Sequence, residues 1–152
     1  MTSFTRNGEN NTTAVPGWVL LLARAGIAPL FLYSGVGKVL TFSATAARLY
    51  GGADGFGRLL AGGAIAMELG CGMALLLGLF TRYAAIALIF FTVAATVIFH
   101  NFWAAPEAQV VVQTINFMKN VGLIGALALI ATVGAGSISV DAVLRREAFY
   151  GK

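Results

Sequence analysis

One carboxylate lies in the middle of an apolar run of this chain, where few groups other than functional ones are tolerated. Glu68 follows the start of the run 58–80 by ten residues and precedes its end by twelve. At ~1.5 Å per helical residue, the carboxyl is about 15 Å from either end and cannot snorkel to water. It must be protonated or paired with a cation. Glu68 is therefore a candidate proton relay, with a structural ion pair or hydrogen bond between helices as the alternative.

A second group of polar residues opens the last apolar run. Gln113, Asn116, Lys119 and Asn120 recur at three- and four-residue spacing, which predicts one polar face of a helix. Lysine and asparagine donate hydrogen bonds, so this face suits a ligand with carbonyl oxygens, such as a quinone. The alternative is that these side chains only lock neighbouring helices together.

His100 and two basic residues of the first apolar run complete the candidates. His100 follows Thr92 and Thr96 at i, i+4 and i+8 and could exchange a proton with a ligand. Such a stripe often bonds to its own helix carbonyls instead, and a lone histidine at an interface is often structural. Arg24 and Lys38 share one face of the first run, where they either snorkel to the headgroups or face protein.

The composition indicates that these residues lie in a membrane. Of 152 residues, 59% are apolar and only 11% are charged, and the mean hydropathy is +0.85. A soluble domain is usually about a quarter charged, so the lipid bilayer is the expected surrounding. The net charge of +4 is scattered, and no basic run interleaves with aromatics, which excludes a nucleic-acid footprint.

Four apolar runs are each long enough to cross ~30 Å of hydrocarbon, and helix is the form that satisfies their backbone in lipid. We therefore predict an all-α, integral membrane four-helix bundle with antiparallel neighbours, in a single domain over residues 17–136. A flexible polar N-terminal tail (1–16) precedes it, and a short basic cytoplasmic C-terminal tail (137–152) follows. The predicted helices cover 18–40, 58–80, 83–103 and 115–133.

The connections between the runs differ. Thr81 and Arg82 alone join the second and third runs, which predicts a tight antiparallel hairpin. Residues 41–57 could begin with a short interfacial helix, and their glycine-rich second half must turn. Pro106 prevents the third and fourth runs from forming one helix. On the second helix every fourth residue is small, which calls for close neighbours in the bundle or in a homo-oligomer. These residues are Gly62, Ala66, Gly70, Ala74 and Gly78.

Basic residues in the short flanks predict the orientation. The N-terminus, the 81–82 hairpin and the C-terminus would lie on one side of the membrane and hold five basic residues, against one to three on the other side. The positive-inside rule then places both termini in the cytoplasm. Lys38, His100 and the 113–120 face would lie in the outer half, above Glu68. We expect them to form a polar pocket open to the outer side.

The sequence also limits which redox chemistry the chain can carry. It has one histidine and one cysteine, so a haem held by two histidines and a dithiol pair are excluded. No His, Cys or carboxylate set has metal-ligand spacing, and we expect neither a metal nor a covalent cofactor. Redox chemistry would require a diffusible carrier, such as a non-covalently bound quinone, or a redox partner protein.

Four segments resemble the DoxX family of small bacterial membrane proteins: "RAGIAPLFLYSGVGKVLTF", "ELGCGMALLLGLFTRYAAIAL", "FHNFW" and "FMKNVGLIGALALIATVGAGSISVD". The likeness covers about residues 20–143. Its most specific features are Glu68, the G-x-x-T-R motif at 78–82 and the G-x-G-x-x-S-x-D motif at 134–141. The resemblance implies a four-helix bundle in the bacterial inner membrane. The family takes its name from a subunit tied to quinol oxidation and thiosulfate:quinone chemistry, and its members are often labelled oxidoreductases.

The leading hypothesis is a membrane subunit that serves a redox or quinone-linked process; whether it is itself an enzyme stays open. Glu68 and His100 are the catalytic candidates. The candidate ligand-binding residues are Lys38, His100, Asn116, Lys119 and Asn120. A non-catalytic scaffold or assembly partner is the second hypothesis, and a pathway for a small solute or protons is the third. Expected partners are a second copy of the chain or another membrane or redox protein.

Overall fold

The computed structural model describes residues 15–49 and 55–150, and within these ranges all regular secondary structure is helical. The predicted N-terminal tail, except for its last two residues, and most of the predicted glycine-rich turn lie outside the described residues. In chain order the helices are α1 (Gly17–Leu40), α2 (Phe42–Arg48), α3 (Phe56–Leu77), α4 (Thr81–Phe99), a 3-10 turn (Phe102–Ala104), α5 (Glu107–Val133) and α6 (Val140–Tyr150).

Four of these helices, α1, α3, α4 and α5, are long and apolar enough to cross a membrane. Each buries a narrow stripe and leaves large apolar side chains outside. On α1 the buried residues follow three- and four-residue spacing, whereas Tyr33 is 84% exposed and Leu22 is 61% exposed. A helix that is apolar on all sides suits lipid rather than water. The predicted all-α membrane four-helix bundle is therefore confirmed.

The helices pack in the order α1, α3, α4, α5, and α1 has little contact with α5. The core lies where these neighbours meet. Its members are Ala28, Phe31, Leu75, Ala85, Leu88, Leu127 and Ile130. These side chains stabilise the bundle even in lipid, because close van der Waals contacts between helices drive their association there.

Several element boundaries differ from the prediction: α3 covers 56–77 and α4 covers 81–99, against the predicted 58–80 and 83–103. Helix α5 begins at Glu107, eight residues before the predicted start at 115. Pro106 lies just before its first turn, where the missing N–H has no partner to lose, so α5 can begin directly after it. The predicted C-terminal tail contains a helix, α6. The hairpin turn lies at residues 78–80, because Thr81 already belongs to α4. The short interfacial helix after the first run is present as α2.

The start of α1, the α3–α4 turn and the α5–α6 connection meet at one end of the bundle, which we call the hairpin end. The backbone N–H of Asp141 donates to the carbonyl of Gly78 at 2.9 Å, and Gly17 lies against Ser137. The opposite end, where α1 leads into α2 and α4 leads into α5, is the loop end. The assignment of the hairpin end to the cytoplasm stays a prediction from the basic residues.

Candidate functional site

Glu68 is paired with Lys38 inside the bundle, towards the loop end. The ammonium Nζ of Lys38 donates to Glu68 Oε1 at 2.8 Å and to Oε2 at 2.9 Å. Ser34 completes the group, since its hydroxyl donates to Glu68 Oε1 at 3.0 Å and accepts from Lys38 Nζ at 2.7 Å. The carboxylate thus takes three hydrogen bonds, and the three N–H groups of the amine are directed at three oxygens. We call Ser34, Lys38 and Glu68 the ion-pair site.

The geometry of two antiparallel helices explains how these residues meet. Side chains tilt towards the N-terminus of their own helix. Lys38, near the end of α1, therefore reaches back into the bundle, and Glu68 on α3 reaches towards the loop end. Gly35 lets the two backbones approach, because a Cβ there would lie 2.7 Å from Cδ2 of Leu69. Helix spacing and side-chain direction together place the amine on the carboxylate.

Burial of the ion-pair site is asymmetric. The Glu68 side chain is 4% exposed and that of Lys38 is 28% exposed. Two paired charges in a low-dielectric interior stabilise each other, but each has lost its hydration, so such a pair is weak evidence for a purely stabilising role. Lys38 is therefore the member of the site whose side chain reaches the surface of the single chain, whereas Glu68 is enclosed by the helices.

A second group of predicted residues links α4 to α5. Nδ1 of His100 and Oε1 of Gln113 are 2.9 Å apart. Asn120 donates to Oγ1 of Thr96 at 2.9 Å. Thr96 and Thr92 each donate at 2.6 Å to the backbone carbonyl four residues earlier, as the threonine stripe predicted. The His100–Gln113 and Asn120–Thr96 contacts join α4 to α5, and we call these four residues the α4–α5 polar seam.

Asn116 and Lys119 take a different position. Lys119 is exposed on the surface of the single chain, and its Nζ donates to Oδ1 of Asn116 at 3.1 Å. Lys119 and Asn120 are adjacent, so they point about 100° apart on the helix, and only Asn120 reaches α4. Within the described residues no hydrogen bond joins the ion-pair site to the α4–α5 polar seam. Their sharing of one pocket stays a prediction.

The hairpin end holds a polar cluster that the sequence only hinted at. Arg24 is fully buried, so its snorkelling to the headgroups is wrong. Its guanidinium donates to the carbonyls of Leu75 at 3.3 Å, Leu76 at 2.9 Å and Ile138 at 2.5 Å. Arg24 therefore ties α1 to the last turn of α3 and to the α5–α6 connection. The sequence signal for this burial was that Arg24 shares a helix face with Lys38 and lies further from the end of its apolar run than a snorkelling residue would.

Asp141 completes this cluster, which we call the hairpin clamp (Arg24, Gly78, Asp141). Its two carboxylate oxygens accept from the backbone N–H of Phe80 at 2.8 Å and of Thr81 at 3.0 Å, which caps α4. Burial raises the pKa of Asp141, but the backbone hydrogen bonds from Thr81 and Phe80, with the nearby charge of Arg145, outweigh burial and hold the pKa below its ordinary value of 3.8.

Gly78 permits the clamp to close. It ends α3 with φ of +71°, in the left-handed region that glycine favours. A Cβ at this position would lie 2.5 Å from both Nη1 of Arg24 and Cβ of Ser139. The two sequence motifs at 78–82 and 134–141 thus meet in space, and together with Arg24 they build one structural joint.

Comparison with known proteins matches the chain to two family models and to two inner membrane proteins. The DoxX family model matches residues 19–101, and the SURF4 family model matches residues 64–146. Inner membrane protein YphA of Escherichia coli K12 is 35% identical over 123 residues, covering 81% of this chain and 88% of that protein. Inner membrane protein YqjF of the same organism is 31% identical over 128 residues, covering 84% and 93%. No solved structure matches the chain.

Proposed function

Since this chain belongs to the DoxX family, we propose that it is a subunit of a redox or quinone-linked process in which the ion-pair site binds the quinone headgroup. The chain is a multi-pass protein of the inner membrane, so a lipid-soluble carrier is within its reach. The observation that carries the proposal is the Lys38–Glu68 pair, in which the Glu68 side chain is buried and the Lys38 side chain is partly exposed.

The chemistry of the pair suits a quinone. The carbonyl oxygens of a quinone accept hydrogen bonds, and a lysine amine donates them. Conversion between quinone and quinol moves two protons and two electrons, and Glu68 is placed to take up or release a proton next to the amine. Ser34 keeps the carboxylate oriented when Lys38 turns towards a ligand, because its hydroxyl also donates to Glu68.

Electrons must come from elsewhere. The sequence contains one cysteine and one histidine, so it offers neither a dithiol pair nor a bis-histidine haem site. The proposed assembly therefore includes a redox partner protein that exchanges electrons with the bound quinone. In this assembly the chain supplies the binding site and the proton path, and His100, Asn116, Lys119 and Asn120 extend the ligand-contacting surface towards α5.

A second candidate function is supported by one specific observation. Within the ion-pair site, the polar groups form hydrogen bonds with one another, and the same is true within the α4–α5 polar seam. A set of satisfied interhelical bonds is what a non-catalytic membrane scaffold or assembly partner needs. Under this function the helices are locked so that another membrane protein can dock on their outer faces.

One purification decides between the two. The protein is extracted in mild detergent, and bound quinones and proteins are identified by mass spectrometry. The variant is Lys38→Met/Glu68→Gln, which removes both charges and leaves no unpaired one. The matched control is Arg48→Gln, which removes an exposed charge at the same end of the bundle.

The quinone function predicts a bound quinone in the wild type and in the control, and none in the folded double variant. A folded double variant that retains its quinone removes the ion-pair site from the proposal. Absence of quinone from all three, with a stoichiometric protein partner present, supports the scaffold. Lys119→Met and Asn116→Leu extend the test: loss of quinone at unchanged stability would place α5 residues in the same site.

A further inference from the structure

A cavity of about 360 Å³ lies at the hairpin end, between the α3–α4 turn, the end of α5 and one face of α6. It is separate from the ion-pair site, which lies towards the loop end. Its wall combines two arginines with apolar and aromatic side chains. The residues used below are Arg82, Tyr83, Val133, Leu144 and Arg145.

The cavity lies where the membrane-spanning helices end. Helix α4 begins at Thr81 and α5 ends at Val133, so this level is where hydrocarbon gives way to headgroups. Tyr83 is 76% exposed and Leu144 is 48% exposed, which shows that the wall opens outwards rather than into the core. A molecule that enters from the bilayer can therefore occupy it while part of it stays in lipid.

The charge of the cavity is positive. In the described part of the chain, neither Arg82 nor Arg145 forms a salt bridge with a carboxylate, and Nε of Arg145 donates to the backbone carbonyl of Asp141. Asp141 also lines the cavity, and each of its carboxylate oxygens accepts one backbone N–H, from Phe80 and from Thr81. Two guanidinium charges thus face a single carboxylate charge, which leaves the wall of the cavity with a net positive charge.

Guanidinium groups bind phosphate with paired N–H donors, and basic pockets between membrane helices attract anionic headgroups. We propose that this cavity binds an anionic phospholipid, with its phosphate held by Arg82 and Arg145 and one acyl chain lying along Val133 and Leu144. Tyr83 lies at the headgroup level, where amphipathic rings are favoured. A free phosphate shares the headgroup chemistry but leaves the apolar wall uncovered, so the occupant is the lipid. The proposal does not depend on the proposed function.

The test measures lipid affinity by native mass spectrometry of the purified protein in detergent. Phosphatidylglycerol, phosphatidylcholine and inorganic phosphate are added separately. The test variant is Arg82→Gln/Arg145→Gln. The matched control is Arg146→Gln, which removes the same charge from α6 but from a residue that does not line the cavity. Arg145→Gln alone serves as a second test variant. Because the Arg145 side chain is exposed, this substitution should leave folding intact.

The wild type and the Arg146→Gln control should bind phosphatidylglycerol in preference to phosphatidylcholine. Each cavity arginine removed should weaken phosphatidylglycerol binding roughly fivefold, so the double variant should lose roughly 25-fold. Equal binding of the two lipids, or an equal loss in the Arg146→Gln control, would overturn the proposal. Displacement of the lipid by inorganic phosphate at millimolar concentration would also overturn it, since the ligand would then be a soluble anion. If the double variant fails to accumulate, the Arg145→Gln result decides.

Discussion

Removing one partner of the ion-pair site should cost far more than removing both. Glu68 takes three hydrogen bonds, and Lys38→Met leaves only the one from Ser34. Its carboxylate is 4% exposed and cannot reach water. Two charge-assisted bonds are lost at about 1.5–2 kcal/mol each, in line with the roughly 3–5 kcal/mol found when a buried pair is broken. We expect Lys38→Met to lower the free energy of unfolding by about 3 kcal/mol.

The reverse substitution should be milder. Glu68→Gln leaves a lysine side chain that is 28% exposed, and a lysine near a helix end can extend to the headgroups. We expect a cost of about 1.5 kcal/mol, since one of the two hydrogen bonds from Lys38 is lost while the amide oxygen can still accept the other. In the double variant no charge is left alone, so its cost should be about 1–2 kcal/mol. The coupling free energy between the two positions is then about 2.5–3.5 kcal/mol.

A double-mutant cycle measures this coupling, with reversible unfolding in mixed detergent micelles as the assay. Lys119→Met is the control, because Lys119 is exposed and its single bond is to Asn116 on the same helix; its effect should stay within about 0.5 kcal/mol. A coupling at or below roughly 0.6 kcal/mol, the average for interhelical hydrogen bonds in a membrane protein, would refute the reasoning. The pair would then be no stronger than a neutral contact.

Three further outcomes are expected. Gly78→Ala should lower the unfolding temperature, with a strain cost of about 1–3 kcal/mol, whereas Gly70→Ala on the same helix should not, because a Cβ at Gly70 meets nothing within 4 Å. Asp141→Asn should lower the unfolding temperature at pH 7. Because the pKa of Asp141 lies below 3.8, its stabilisation exists above that pH and is lost as the pH falls through the folded-state pKa; a wild-type advantage that stays constant as the pH is lowered below 3.8 would contradict the cap. The predicted cytoplasmic location of both termini is tested with cysteines introduced at Asn10 and Ala148, after the native cysteine is replaced by alanine. Both should resist an impermeant thiol reagent in intact cells, and labelling at both would show that the termini lie outside.

Hydropathy alone was sufficient to predict the four membrane helices, because a long apolar run has few alternatives in lipid. It misplaced their ends, because ends depend on contacts that lie far away in sequence. Helix α4 begins at Thr81 since Asp141, sixty residues later, caps it. Helix α6 forms in a segment of lower hydropathy whose first turn is held by the bond between Asp141 and Gly78. Neither contact is visible to a local pattern.

The candidate site shows the same limit in a sharper form. Periodicity correctly brought Gln113 and Asn120 to face α4, because both lie on one stripe of α5. Periodicity also grouped Lys119 with them, because residues three or four positions apart can still differ widely in direction around the helix. In the structure Lys119 is exposed. The pairing of Glu68 with Lys38 required the register of α1 against α3, which depends on Gly35 and its neighbours rather than on either helix alone.

The positions of the motifs at 78–82 and 134–141 bear on what likeness at these residues can mean for function. The motifs at 78–82 and 134–141 contribute to the hairpin clamp, where Asp141 caps α4 and Gly78 makes room for Arg24. Any chain that folds this way needs that joint, whatever it does, so likeness at these motifs is evidence of architecture. Glu68 is different, because it forms no cap or turn and instead pairs with a partly exposed lysine between α1 and α3. The proposed function assigns the chemistry to this pair, and in the double variant Lys38→Met/Glu68→Gln ligand binding should be lost while the bundle remains.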